Sequence, residues 1–156
     1  MGFLPINEQM DLIRRGVEEI IPEDELVKKL ERSQSKNTPL IIKLGCDPSR
    51  PDLHIGHGVV LRKLRHFQDL GHIAVLVIGD FTAMIGDPSG RNKTRPQLTL
   101  KEARSNAETY VNQAKVILNM NSAIVKYNSD WLSKMDFNDV VRLATVSYTH
   151  LRAHET

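Results

Sequence analysis

Residues 40–78 read LIIKLGCDPSRPDLHIGHGVVLRKLRHFQDLGHIAVLVI, and this stretch decides the fold. Short β-branched apolar runs at 40–44 and 73–78 are typical of buried strands. Between them apolar residues recur at helical spacing, and Gly71 follows the last of them, in the position of a helix C′ residue. A strand, a helix and a second strand in this order predict a βαβ unit, and therefore an α/β fold with a parallel sheet.

The polar segment after the first predicted strand, 46–58, reads CDPSRPDLHIGHG. It lies where open α/β sheets bind ligands, and it opens a helix whose N-terminus favours phosphate. His54 and His57 are three residues apart, so they share one face of a helical turn. Two imidazoles that donate hydrogen bonds to an α-phosphate stabilise the charge that develops when a carboxylate attacks it. Gly56 and Gly58 let a nucleotide approach the backbone closely.

Two other interpretations of the histidine pair stay open. An i, i+3 pair is most often part of a solvated surface, and H-x-G-H is a short motif with many chance matches. A zinc site is the second alternative, although helical zinc sites use i, i+4 spacing with an intervening glutamate. No third ligand stands out in the sequence, so we expect no metal bound by the chain itself.

A second polar segment, 80–97, follows the second predicted strand and reads DFTAMIGDPSGRNKTRPQ. The sequence predicts a long loop here, and such loops in compact domains are usually functional. Loops that leave neighbouring parallel strands converge, so we expect Asp87 to meet a substrate ammonium group. Arg91, Lys93 and Arg95 add positive charge beside it, although by themselves they are typical of a solvated surface.

Helical patterns flank this region. Apolar spacing over 6–21 predicts a first helix with Asn7 as its cap, and 23–30 predicts a short second helix. The polar stretch 33–39 reads as a loop.

The second half of the chain continues the alternation of helices and strands. TLKE is a capping box of Thr99 and Glu102. Apolar patterns then predict a short strand at 124–127 and a helix that begins within 137–143. The helix behind the capping box places six residues on or near one face: Leu100, Ala103, Ala107, Tyr110, Ala114 and Ile117.

Composition is ordinary for a globular domain, with 40% hydrophobic and 26% charged residues. The formal net charge of +2 is too small to indicate nucleic-acid binding. The single cysteine, Cys46, forms no disulfide within the chain and fits a reducing compartment. The first ten residues lack a signal-peptide pattern, and the apolar run at 73–78 is too short for a bilayer. We therefore expect a cytoplasmic protein without membrane contact.

These motifs together resemble a known family. DLHIGH, residues 52–57, is similar to the HIGH signature of class I aminoacyl-tRNA synthetases. The wider pattern KLGCDPSRPDLHIGH, followed by FTAMIGDPSGR, resembles the bacterial tyrosyl-tRNA synthetases. LIRRGVEEIIPEDEL and KYNSDWLSKMDFNDVVRLAT extend the resemblance over 12–145. Other HxGH nucleotidyltransferases, such as cofactor adenylyltransferases, lack the IGDPSG loop and the KYNSDW segment; a non-catalytic paralogue is a further alternative.

The resemblance implies a Rossmann-like (HUP-type) parallel sheet with flanking helices, truncated here to the amino-terminal part of the enzyme. Residues 1–38 are then an N-terminal helical segment, and 39–145 the first part of the catalytic domain, entering the connective insertion. It also implies ATP-dependent activation of L-tyrosine, transfer to tRNA(Tyr), Mg²⁺ with ATP, and a homodimer at full length. We expect the fragment alone to be inactive.

Individual roles follow from the same resemblance. His54 and His57 match the histidines that stabilise the phosphate during activation, and Gly56 matches the glycine on which adenine packs. Gly45 and Asp47 match strand-end residues that line the pocket for ATP and tyrosine.

Further matches lie on the two polar segments. Ser49 stands where the family usually has threonine, near the pyrophosphate. Thr82 matches a threonine of the tyrosine pocket, and Asp87 matches the carboxylate that holds the α-amino group. Arg91 and Arg95 match basic positions near the triphosphate or the tRNA end.

The chain departs from the family pattern in three places. Lys43 replaces a tyrosine that touches the substrate hydroxyl in many members, a form typical of one bacterial branch, and Cys46 replaces the usual phenylalanine. The third departure is the absence of the later tyrosine-binding helix. Apart from these departures, the final stretch, 146–156, reads VSYTHLRAHET and matches the translation of a common sequencing adapter. We expect this tail to be non-native, with a divergent natural tail as the alternative; the coding DNA decides between them. The KMSKS loop and anticodon-binding region are not in the chain.

Overall fold

The structure, a computed structural model, describes residues 2–85 and 98–153, with side chains up to residue 145. Its elements, in chain order, are α1 (Ile6–Arg14), α2 (Glu23–Lys36), β1 (Ile41–Cys46), α3 (Ile55–Asp69), β2 (Ile73–Ile78), α4 (Asp80–Ile85), α5 (Leu100–Ala114), β3 (Ala123–Tyr127), α6 (Ser129–Leu132) and α7 (Phe137–Ala153).

Within the described ranges the strands form one parallel sheet in the order β1-β2-β3. This confirms the predicted parallel strand–helix–strand unit and the short third strand. The register pairs Cys46 with Ile78 and Ile78 with Tyr127. All three strands therefore end level with one another, and the segments that follow them emerge at one edge of the sheet.

The main core lies on one face of this sheet. Alternate residues of β1, such as Leu44 and Cys46, pack against the buried cluster, whereas Lys43 and Gly45 on the other face are exposed. The buried members of the cluster come from α3, β2, α5 and the turn after α5: Leu61, Leu64, Ala74, Leu76, Ile78, Ala107, Ala114 and Leu118. Alanines on α5 allow that helix to lie close to the strands.

A second cluster joins the N-terminal helices to the end of α3, through Met10, Ile13, Leu30, Phe67 and Leu70. The Lys63 ammonium donates to the carbonyls of Ile13 (2.6 Å) and Arg15 (2.7 Å), which lie at the C-terminal end of α1. A cation at this position satisfies carbonyls that have no partner inside the helix.

The first predicted helix is too long, and its predicted cap is wrong. α1 ends at Arg14, because Arg15 is extended and Gly16 has a φ of 67°. The helix begins after Pro5, so Asn7 lies inside its first turn and does not cap it.

The second predicted helix is too short, and the loop predicted at 33–39 is wrong over its first four residues. α2 continues to Lys36 and ends at Asn37, which has a φ of 48°. Ser33 is buried, and its hydroxyl donates to the Thr38 carbonyl at 2.6 Å. A contact that closes the helix end therefore outweighs the polar composition of this stretch.

The predicted loop at 80–97 is also wrong over its first six residues, which form α4. Residues 86–97 lie outside the described part of the chain. The capping box of Thr99 and Glu102 is confirmed, with the Thr99 amide donating to Glu102 at 2.8 Å. The face predicted for α5 is buried at Ala103, Ala107, Tyr110 and Ala114. Leu100 is exposed, and Ile117 lies beyond the end of the helix but packs against the main core.

His72, between α3 and β2, is buried with both ring nitrogens engaged. Its Nδ1 accepts from the Leu40 amide (3.2 Å), so Nε2 carries the proton and faces Gln9 Oε1 at 3.1 Å. The Gln9 amide donates in turn to the Leu4 carbonyl at 2.7 Å. Burial lowers the pKa of His72, because the charged ring would lose its hydration in the interior. A second proton at Nδ1 would also remove the acceptor for the Leu40 amide.

The free energy of unfolding should therefore fall as the pH drops below about 6.5, the ordinary histidine pKa. Below that value the unfolded chain takes up a proton that folded His72 resists. Urea unfolding near neutral pH and near pH ~5.5 measures the loss, and the exchange of His72→Gln should reduce the pH dependence. An equally steep dependence in the variant would show that other groups cause it.

Candidate active site at the carboxyl edge of the sheet

The first part of the site is the N-terminus of α3, where two histidines form a reciprocal cap. His54 Nδ1 accepts from the Gly56 amide (3.1 Å), and His57 Nδ1 accepts from the His54 amide (3.2 Å). The ring centroids are 4.0 Å apart, which confirms that the two side chains share a face. Since both Nδ1 atoms accept, the proton of each neutral ring is on Nε2. Each ring thus caps the helix and keeps one N–H for a ligand.

The charge state of His57 follows from its surroundings. Burial, and to a smaller extent the neighbouring His54, lower the pKa of His57. The ring also meets Tyr110 edge-on, with centroids 5.8 Å apart. His57 is therefore a neutral hydrogen-bond donor near pH 7 rather than a fixed positive charge.

The structure explains one of the two glycines predicted for the site, Gly56, but not the other, Gly45. A Cβ on Gly56 would lie 2.9 Å from His54 Cε1, so a side chain there would displace the ring. A Cβ on Gly45 would meet nothing within 4 Å. Nothing in the described chain requires glycine at position 45, and the space beside it is open.

The second part of the site links the ends of β1 and β2. The Thr82 hydroxyl donates to Asp47 Oδ1 at 2.8 Å. Thr82 Oγ1 also accepts from the Asn128 side-chain amide at 3.0 Å, while Asn128 Oδ1 accepts from the Phe81 amide at 2.9 Å. Since Asn128 supplies a donor, the single Thr82 proton is directed away from it, toward Asp47 Oδ1 or the more distant Gly79 carbonyl at 3.2 Å.

Gly79 makes this arrangement possible. A Cβ there would lie 1.9 Å from Asp47 Oδ1 and 2.5 Å from Thr82 Oγ1, distances that no side chain tolerates. Its amide donates to the Cys46 carbonyl at 2.9 Å and continues the strand pairing by one residue.

A third component, which sequence reasoning missed, is the buried carboxylate of Asp80. One oxygen accepts from the amides of Phe81 and Ser129, both at 3.0 Å, and the other accepts from the Ser129 hydroxyl at 2.7 Å. Arg104 Nε lies 3.6 Å from that second oxygen. Asp80 thereby joins the end of β2 to the segment that follows β3. Asn128 and Ser129 directly follow a predicted strand, and that position was the signal that could have revealed them.

The remaining predicted site residues divide into described and undescribed positions. Ser49 is half-buried, and its amide donates to the Asp47 carbonyl at 2.8 Å. Asp87 and Arg91 lie outside the described residues, as do Lys93 and Arg95, so their roles stay predictions. Seven of the predicted residues lie on the segments that meet at this edge: Gly45, Asp47, Ser49, His54, Gly56, His57 and Thr82.

An apolar pocket of about 110 Å³ lies below His57. Its lining includes Leu44, Cys46 and Tyr110. Burial, and then the neighbouring Asp47, raise the pKa of the Cys46 thiol to about 11. The thiol therefore stays protonated at neutral pH and behaves as a small apolar group.

Among the side chains that the structure describes, at 2–85 and 98–145, no group of three or more His, Cys, Asp or Glu residues could hold a metal ion. None of the helices in these ranges is both long and apolar enough to cross a membrane.

A parallel sheet whose first strand leads into a helix with paired histidines at its N-terminus has the architecture of the Rossmann-like α/β proteins. A family model described as tRNA synthetases class I (W and Y) matches residues 35–155. The chain belongs to this family, which confirms the resemblance and the predicted fold class.

Curated relatives agree with this assignment. The chain is 62% identical over 144 residues to the tyrosine–tRNA ligase of Salinibacter ruber, covering 92% of this chain and 35% of that protein. It is 59% identical over 155 residues to the ligase of Chlorobaculum tepidum, covering 99% and 38%. The chain thus spans little more than a third of the length of these relatives.

Solved structures show the same fold. The tyrosyl-tRNA synthetase of Archaeoglobus fulgidus, complexed with L-tyrosine, superposes with a TM-score of 0.68 at 23% identity, over 93% of this chain and 41% of that one. A C-terminally truncated mitochondrial tyrosyl-tRNA synthetase of Coccidioides posadasii superposes with a TM-score of 0.59 at 26% identity, over 80% and 35%.

Replacing Asp80 by alanine should lower the free energy of unfolding by roughly 2–4 kcal/mol, because three donors lose a buried acceptor. Asp80→Asn should cost less, since its oxygen still accepts from both amides and its NH₂ group can donate to the rotatable Ser129 hydroxyl. Urea unfolding measures both. The matched control is Asp69→Ala, which removes an exposed carboxylate paired with Arg65 and should change little. Equal losses at positions 80 and 69 would contradict the assignment.

Proposed function

We propose that the protein is a tyrosine–tRNA ligase. It activates L-tyrosine with ATP to form tyrosyl-adenylate and pyrophosphate, and then transfers the tyrosyl group to the 3′ end of tRNA(Tyr). The observation that carries this proposal is the histidine pair at the α3 N-terminus, in which each Nδ1 is held by a backbone amide so that the proton of each neutral ring is on Nε2. Family membership and the names of the close relatives support the choice of reaction.

The first step is a displacement at phosphorus. An oxygen of the tyrosine carboxylate forms a bond to the α-phosphorus, and the bond from that phosphorus to the bridging oxygen of pyrophosphate breaks. The carboxylate is already ionised, so the step needs no general base. Negative charge increases on the phosphate oxygens and on pyrophosphate, and His54 and His57 donate to it through Nε2. Donors that bind more strongly at that stage than in the ground state lower the barrier.

The geometry of the capped helix supports this role. Because Nδ1 of each ring is held by a backbone amide, the rings are oriented before ATP binds. Preorganised donors need no reorganisation during the reaction, which is the source of their catalytic effect. The neutral state of His57 suits a donor that must release pyrophosphate afterwards.

On the tyrosine side, we propose that Asp47, Thr82 and Asp87 line the amino-acid pocket. Thr82 occupies only Oδ1 of Asp47, and the carboxylate is exposed, so it retains acceptor capacity for a ligand. Asp87 would hold the α-ammonium group. Gly45 and Ser49 would contact ATP, adenine would pack on Gly56, and Arg91 would lie near the triphosphate.

We infer that Mg²⁺ enters with ATP. Magnesium usually keeps several waters and binds mainly through substrate phosphates, with one or two protein carboxylates. The exposed carboxylate of Asp47, at the end of β1, would be available for such a contact.

We also propose a homodimer in the cytoplasm for the full-length protein. The helix α7 exposes Phe137, Val140, Val141 and Leu143, an apolar set that spans two turns. Exposed apolar patches of this kind are typical of protein interfaces. The cytoplasm is where tRNA is charged for translation in bacteria.

The domain boundaries remain proposals as well. α1 and α2 precede β1, which supports a helical segment over 1–38 and a catalytic portion over 39–145. For 146–156 the non-native tail stays a hypothesis, and codons that do not spell the adapter would reject it.

Loss of the His54 imidazole should lower tyrosine-dependent ATP–pyrophosphate exchange roughly 100-fold or more, as for removal of one preorganised donor. The measurement uses a full-length protein that contains this sequence. His54→Ser keeps a good N-cap, whereas His54→Ala removes both cap and donor. The two variants should lose similar activity, and only the alanine variant should lose additional stability. Exchange that remains unchanged in His54→Ser would contradict the catalytic role.

Asp87→Ala should raise the KM for tyrosine strongly and change the KM for ATP little, because only the amino acid carries an ammonium group for this carboxylate. Steady-state exchange kinetics with each substrate varied in turn separate the two constants. A parallel rise in both KM values would contradict the assigned contact and indicate a general disturbance of the site.

A further inference from the structure

We propose that Gln113 on α5 is a positioning residue that sets the place of the histidine pair by holding the loop in front of His54. Thr109 and Asn106 assist it. The proposal deepens the proposed function and rests on it, since it concerns the same site. All three side chains lie outside the HIGH, IGDPSG and KYNSDW segments.

The loop 47–54 depends on other elements for its shape. Within it, the structure gives one backbone hydrogen bond, from the Ser49 amide to the Asp47 carbonyl at 2.8 Å. Pro48 and Pro51 have no N–H to donate. Their carbonyls and the Leu53 amide must therefore find partners elsewhere, and a loop without such partners would leave the start of α3 free to shift.

Gln113 pairs with one amide and one carbonyl of this loop. Its Oε1 accepts from the Leu53 amide at 2.9 Å, and its Nε2 donates to the Pro51 carbonyl at 3.0 Å. Leu53 directly precedes His54, the N-cap of α3. The amide group of Gln113 thus pairs with the loop as a neighbouring peptide would, one residue before the histidine.

Two further side chains hold the loop from the same side of α5, and together with Gln113 they form a clamp on residues 48–53. Thr109 Oγ1 lies 2.6 Å from the Pro51 carbonyl, and Asn106 Nδ2 donates to the Pro48 carbonyl at 3.0 Å. Asn106 and Gln113 are seven residues apart, or about two helical turns. This polar stripe adjoins the alanine stripe that packs on the sheet, so α5 fixes the loop relative to the strands.

The proposed chemistry depends on where the rings of His54 and His57 are held. The histidines act through hydrogen bonds to a phosphate in the transition state, and a displacement of about 1 Å can cost about 100-fold in rate. Loss of the clamp should therefore lower kcat and kcat/KM together and leave the KM for ATP nearly unchanged, because the donors matter most in the transition state.

The chain offers a matched control in Gln68 on α3. Its Nε2 donates to the Asn119 carbonyl at 2.9 Å, and its Oε1 accepts from the Asn119 amide at 3.1 Å. The same residue type thus makes the same two kinds of contact, but with the loop that leads into β3 at the opposite edge of the sheet. A purely structural role for Gln113 predicts equal effects at the two positions.

The experiment compares Gln113→Met with Gln68→Met, changes that keep length and helix propensity and remove the side-chain hydrogen bonds. For Gln68 these include a further one from Nε2 to Ser122 Oγ at 3.2 Å. In the full-length protein, kcat for tyrosine-dependent exchange should fall 10- to 100-fold for Gln113→Met and less than about twofold for Gln68→Met, at similar losses of stability. Thr109→Val, which removes only the hydroxyl donor, should give an intermediate loss. Gln113→Glu, which keeps the acceptor for Leu53, should recover part of the rate.

Imidazole NMR signals of the full-length protein provide a second readout that needs no activity. Gln113→Met should shift the signals of His54 and His57 and leave His72 in place, whereas Gln68→Met should leave His54 and His57 unchanged. Equal kinetic effects at positions 113 and 68, or unshifted histidine signals in Gln113→Met, would overturn the inference. A wild-type protein without exchange activity would instead overturn the proposed function, and the NMR comparison would still decide on the clamp.

Discussion

The three parallel strands end at the same level, and the rest of this structure depends on that register. Pairing of Cys46 with Ile78, and of Ile78 with Tyr127, makes the chain leave the sheet three times at one edge. Every polar group that follows a strand must then share a small space with the others. Carboxylates crowded in this way repel each other unless donors separate them, and backbone amides, hydroxyls and the Asn128 amide supply those donors.

Asp80 and Asp47, two carboxylates at this edge, are held in opposite ways. Asp80 is fully buried, accepts three hydrogen bonds and lies near Arg104, so its acceptor capacity is used within the protein. Asp47 is exposed, and among the described residues it accepts one hydrogen bond, from Thr82. A saturated buried carboxylate holds elements together, whereas an exposed and partly satisfied one keeps capacity for a ligand. Burial and hydrogen bonding thus separate a structural aspartate from a binding one more clearly than residue type does.

The α3 N-terminus shows how one side chain serves folding and chemistry together. Each imidazole uses Nδ1 to cap the helix, which leaves the proton of the neutral ring on Nε2 for a ligand. Much of this arrangement was predictable, because the spacing of His54 and His57 determines that they meet. Gly56 was predicted to allow close approach of a nucleotide. The structure adds a second reason, because a Cβ at this position would displace the His54 ring.

The sequence by itself determined the features that near neighbours decide: the three strands, the α3 helix with its glycine end, the Thr99–Glu102 capping box and the histidine pair. Only the tertiary structure decided where α1 ends, how Asp80 is held and which groups hold the loop before His54. The contacts of Lys63 with Ile13, Asn128 with Phe81 and Gln113 with Leu53 join residues 50, 47 and 60 positions apart. Local pattern carries no information about such pairs, since they meet only after the sheet has aligned its strands and the helices have packed on it.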